Sequence, residues 1–268
     1  MVVLVATPSI LLPGISSDVT QIVALLALFA AGLTMFEYGS VYPGIVEFRN
    51  APPFNRLRFV SLFVIVASIS LAIRGETLPT GFTDAVTSFA AGIGAAIDFP
   101  YSPVRQVVLL LPSDASLVEV DRVRMAAGLS YFVSMLTLAV FYFYVRVRRW
   151  PLHAGPFNVW VNLPTFDPTS GGDVVHRLER DARFNIIVGF TMPFFIPAAV
   201  TAAEGVFGQV SLDNTLSMVW IVAAWSFLPA SLLMRGLAMA RIAELIARKR
   251  AMSARVKSEQ RQEALQPA

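Results

Sequence analysis

The sequence predicts an all-α, polytopic integral membrane protein: a bundle of about five transmembrane helices with its N-terminus outside and its C-terminus cytoplasmic. Three observations predict it. Of 268 residues, 56% are hydrophobic and 15% charged, and mean hydropathy is +0.64, whereas a soluble domain carries about 25% charged residues. Five apolar stretches approach the length of about 20 residues that a helix needs to cross a hydrocarbon core about 30 Å thick. The basic residues that border these stretches fall on alternate sides.

The same composition narrows the chemistry. Cysteine is absent and only two histidines occur, His153 and His176, so thiolate sites, disulfides and histidine-rich metal cages have no material. No cofactor is expected. A sequence pI near 9.5 would suit nucleic acid, but the basic residues border apolar segments, where membrane topology accounts for them and no nucleic-acid partner is expected. Nineteen of the 21 basic residues are arginine, Lys249 and Lys257 being the exceptions. That skew is what a GC-rich bacterial coding sequence gives, and the expected location is a bacterial inner (plasma) membrane.

Taken in order, residues 1–12 are apolar but lack a basic leader and stop at Pro13 and Gly14. An ordered or interfacial arm is expected there rather than a cleaved signal peptide. Spans are expected at about 19–38, 57–73, 125–145, 185–207 and 216–238, all helical because an amide in lipid must be paired within its own segment. In the first loop, Pro52 and Pro53 forbid a continuous helix. Tyr38, Tyr42, Phe48 and Phe54 suit the headgroup belt, where amphipathic rings concentrate.

Segment 87–111 holds two apolar runs, each too short to cross, with Asp98, Pro100, Pro103 and Arg105 between them. A re-entrant pair of half-helices and an interfacial helix followed by a strand both fit. Gly92 and Gly94 would permit close helix packing. Span four carries Pro193 and Pro197, and each removes an amide donor, so a kink is expected. Transporters use such breaks to expose carbonyls to a substrate.

The loop 146–184 alternates, with Asn158, Trp160 and Asn162 on one face and Phe157, Val159, Val161 and Leu163 on the other. That pattern predicts a short half-buried strand. Asp167, Pro168, Gly171, Gly172 and Asp173 supply turn and helix-cap chemistry, and a helix is expected from Val174. This loop reads as a docking surface or as a solvated collar. The tail 239–268 repeats Ile242, Leu245, Ile246, Met252 and Val256 at helical spacing among basic residues, predicting an amphipathic helix on anionic lipid headgroups of the inner leaflet.

Charge inside the spans is scarce. Glu37 and Arg235 both lie near the expected cytoplasmic end; they either pair across the bundle or reach the headgroups separately. Orientation follows from the basic count, with seventeen lysines and arginines on the side of the first loop, the third loop and the tail, against Arg74, Arg105, Arg122 and Arg124 on the other. The dispersed carboxylates show no nucleophile or metal motif, so the expected function is non-catalytic: an accessory, scaffold or assembly protein with a membrane-protein partner or a second copy of itself. A small-solute or ion transporter using span four, Asp98 and Arg105 is the alternative.

Overall fold

The computed structural model describes residues 1–151, 157–167, 169, 171–207, 212 and 214–263. His153, Pro168, Asp213 and residues 264–268, together with the side chains of Trp160 and Glu204, lie outside the described residues. The chain is a multi-pass membrane protein, all-helical among those residues, with five helices long and apolar enough to cross a bilayer. They are α2 (Ser17–Gly39), α3 (Phe54–Thr77), α6 (Leu117–Arg146), α8 (Val174–Phe207) and α9 (Thr215–Glu263). Four shorter helices join them: α1 (Val2–Leu11), α4 (Gly81–Ile97), α5 (Pro103–Val108) and α7 (Val159–Asn162).

Polar caps set most of the starts. Ser16 accepts from the Val19 amide and Ser102 from the Arg105 amide. Ser116 and Glu119 form a reciprocal box, as do Thr80 and Thr83. Asp173 and Asn214 accept from the amides of His176 and Ser217. A side-chain oxygen at this position satisfies an amide that the first helical turn leaves free. The box at Ser116 explains why α6 begins eight residues before the apolar run does: hydropathy marks lipid depth, and the cap marks the helix.

Helix α9 packs against α8, α6 and α3, while α2 reaches the bundle mainly through α1. Two cores result. One gathers Ile65, Ile69, Ala126, Val219 and Val222 towards the end where α3 meets α4. The other lies at the opposite end and draws Phe48, Phe54, Trp150, Leu163 and Phe166 from loops and a helix start onto Phe141 and Met239. We call this second end the cap. Lipid tails are as apolar as leucine, so close backbone approach rather than apolar burial holds the spans together. In the cap the alternative environment includes water, and each fully buried phenylalanine contributes about 1.5–3 kcal/mol.

Two expectations change. Phe48 and Phe54 are each 1% exposed and belong to the cap core rather than a headgroup belt, because the two prolines fold the loop back under the bundle; Tyr38 and Tyr42 remain exposed. The alternating segment is no strand: residues 159–162 form one helical turn, closed by bonds from Asn162 to the Asn158 carbonyl. Segment 239–268 continues span five without a break as far as Glu263. At 1.5 Å per residue the 49 residues of α9 extend about 74 Å. The helix expected in the tail is thus present, and its basic part extends beyond the last packed turn.

Candidate functional site

The most constructed region is the cap, and it is assembled from a few polar side chains. Glu37, in the last turn of α2, is 5% exposed. Its carboxylate accepts from three consecutive loop amides, Gly44 at 3.1 Å, Ile45 at 2.9 Å and Val46 at 3.0 Å. Arg49 answers from the loop, donating to the carbonyls of Glu37 at 3.0 Å and Ser40. These carbonyls lie at a helix C-terminus, where no amide of the next turn serves them and where a cation is favoured. Helix end and loop thereby satisfy each other, and hydrogen bonds to ionised groups are the stronger kind.

Arg235 does not meet Glu37. It grips Glu47 in a two-point contact, 2.6 Å from Nε and 2.9 Å from an η nitrogen, and Thr165 donates to the same carboxylate at 2.7 Å. One acid therefore ties the first loop, the third loop and α9. The sequence reading missed Glu47, although a charge balance singles it out: it is the sole acidic residue between Tyr38 and Arg74.

Asn162 completes the join. It is 2% exposed, its carbonyl accepts from the Phe48 amide at 2.7 Å, and its side-chain oxygen accepts from the Asn50 amide at 2.9 Å. Asn158 is exposed and lines a cleft with Tyr42, Pro43 and Pro164. Trp150 donates its indole N–H to the Ala51 carbonyl at 3.0 Å, and its ring meets Phe141 edge-on with centroids 5.3 Å apart.

Asp173 caps α8 and also binds Arg250 on α9. The Arg250 guanidinium holds the Asp173 carboxyl below its usual range, with help from the His176 amide. Among the described residues that contact is the last one by which α9 meets the cap; from Ala247 to Arg261 the helix is exposed.

The other expected residues lie elsewhere. Asp98 and Arg105 are brought together at 2.8 Å, and Arg124, which sequence reasoning did not single out, binds the other Asp98 oxygen at 2.8 Å while also pairing with Asp121. The Asp98 side chain is 3% exposed. Two aspartates and two arginines leave the group neutral, and it locks α4, α5 and α6 together. Both ends of α4 sit at this end of the bundle, Thr83 beside Gly75 and Asp98 beside Arg124. Helix α5 has six residues, far short of the returning limb of a re-entrant pair.

Helix α8 runs through Pro193 and Pro197 without interruption. The Pro193 carbonyl would ordinarily accept from residue 197, which as proline has no N–H. Trp225 of α9 donates its indole N–H there instead, at 3.0 Å.

Among the described residues no three carboxylate or histidine side chains converge in a way that would hold a metal ion. Compared with known protein-family models, curated proteins and solved structures, the chain matches none, so its function is read from its own geometry.

Proposed function

We propose that this chain is a non-catalytic accessory, scaffold or assembly protein of a larger complex in a bacterial inner membrane, with the cap and the exposed part of α9 in the cytoplasm. The observation that supports this most is the cap. Two loops that need only connect helices are instead folded on a shared aromatic core and fixed by Glu37, Glu47, Asn162 and Arg235. From this rigid base a basic helix projects beyond its last packed turn, bearing Arg248, Lys249, Arg250, Arg255 and Lys257. A fixed platform with a charged rod suits recognition of an acidic partner surface, where charge sets register and speeds encounter.

The features on which a transport reading would draw are already engaged. Of the two carbonyls that the prolines of span four free, that of Pro193 is bound by Trp225, and Asp98 is bound by two arginines. Extraction of native membranes in a mild detergent should place the 29.2 kDa chain in an assembly of several times its own mass. Deleting 247–268 should leave a folded bundle that no longer joins it. Migration of the full chain alone, in every mild detergent, would remove the proposal.

A further inference from the structure

A groove of about 660 Å³ opens on the side of the bundle next to the cap. Its volume is within the about 300–1,000 Å³ typical of small-molecule sites. Thr34 and Tyr38 of α2 form one wall, Arg56, Arg58 and Phe59 of α3 the other, and Phe227 of α9 lies behind. Met1 and Leu4 of α1 also line it.

Arg58 is the unusual member. Its guanidinium lies 5.6 Å from the Phe54 ring centre and 5.8 Å from that of Phe227. Its one hydrogen bond among the described residues is a long one, 3.4 Å to the Ser231 hydroxyl. No carboxylate of the described residues stands within 4.0 Å of it. Glu47, whose charge reaches it, is occupied by Arg235. Arg56, about half a turn nearer the helix start, is exposed and likewise has no ion pair among the described residues. Both arginines lie in the first turn and a half of α3, the depth of lipid headgroups if α3 crosses the bilayer. Apart from Thr34, Tyr38 and Asn55 the rest of the groove wall is apolar, and Phe59 and Val60 on its flank are 42% and 53% exposed.

We propose that this groove binds one anionic phospholipid of the surrounding leaflet. The phosphate engages the Arg58 and Arg56 guanidiniums, whose forked N–H groups match phosphate geometry. One acyl chain follows the wall from Phe59 towards Leu4. The charge complementarity selects an anionic lipid over a zwitterionic one, and the apolar length selects a lipid over a free phosphate. The inference uses the membrane placement of the helices and is independent of the accessory role.

The test is native mass spectrometry of the full chain in micelles holding equal amounts of phosphatidylglycerol and phosphatidylcholine with identical acyl chains. The wild type should retain the anionic lipid in preference by about tenfold, and Arg58→Gln should reduce that preference by about fivefold. Because Arg58 also packs against two rings, Thr34→Trp provides a second arm from the opposite wall: it should lower occupancy by both lipids while Arg58 stays in place. Glycerol phosphate at equal concentration should fail to displace the lipid. A photo-crosslinking residue at position 34 should capture phospholipid in native membranes. Absence of anionic preference in the wild type, full retention in both variants, displacement by glycerol phosphate, or capture of a polypeptide at position 34 would each overturn the proposal.

Discussion

Trp225 shows how one side chain makes a proline inside a helix tolerable. Its indole N–H is the replacement for the amide that Pro197 lacks, so the two residues are energetically coupled. Trp225→Phe keeps most of the ring packing against Tyr131 but strands the Pro193 carbonyl, and should lower stability in detergent by about 1 kcal/mol. Pro197→Ala restores the backbone donor. In that background the same Trp225→Phe change should cost only its packing share, so a double-mutant cycle by thermal unfolding should show a coupling of about 1 kcal/mol. Equal costs in both backgrounds would mean the indole serves some other purpose. The prolines were legible in the sequence and their partner was not, because periodicity assigns a residue to a face without naming what stands opposite. The same gap separates Glu37 and Arg235. Each was conspicuous as a charge near the end of a span, free to pair across the bundle or to reach the headgroups, yet Glu37 serves its own loop and Arg235 serves Glu47. Both partners are distant from the helix pattern that made the two residues conspicuous.

Elements meet most closely where glycine removes the side chain between them. A β-carbon on Gly128 of α6 would lie 2.4 Å from the α-carbon of Gly94 in α4, and one on Gly189 of α8 would lie 2.8 Å from the Pro229 carbonyl oxygen of α9. Backbone cannot rotate away as a side chain can, so Gly128→Ala must separate α4 from α6. It should destabilise by about 1–3 kcal/mol, despite the gain in helix propensity. Gly92→Ala is the control. A β-carbon there meets nothing within 4 Å, and the change should be neutral or stabilising by up to about 1 kcal/mol. Unfolding of both variants in one detergent checks the pair, and similar losses at both sites would contradict the crossing. The sequence proposed close packing for Gly92 and Gly94; which one makes it depends on which face of α4 meets α6. Spans were legible because lipid demands apolar length, and each expected span lies inside an observed helix. Their ends were not, since Ser116, Asp173 and the continuation of α9 are settled by caps and packing rather than hydropathy. The mistaken strand has the same origin: in the short run from Phe157 to Leu163, period two cannot be distinguished from one helical turn.

For the molecule as a whole, the two ends differ in how they treat positive charge, and that difference predicts how the chain is threaded. Each of the four arginines at the α4 end has a partner in the fold. Arg74 donates to the Leu11 carbonyl, Arg105 and Arg124 bind Asp98, and Arg122 binds Glu76. They are there as locks. The cap end carries the excess, and much of it, including Arg56, Arg148, Arg255 and Lys257, is exposed. Basic residues flanking spans are retained on the cytoplasmic side, so the expected outcome is a cytoplasmic cap with the projecting part of α9 beside it. The absence of native cysteine makes this directly measurable. Single cysteines at Tyr42, Thr169 and Ser258 should resist a membrane-impermeant maleimide until the membrane is broken. A cysteine at Asp114 should react beforehand. These four positions are exposed, so protection would reflect the membrane and not burial. Labelling of Tyr42 and Asp114 together in intact cells would mean that α3 does not cross, and the cap would then lose its claim to a cytoplasmic partner.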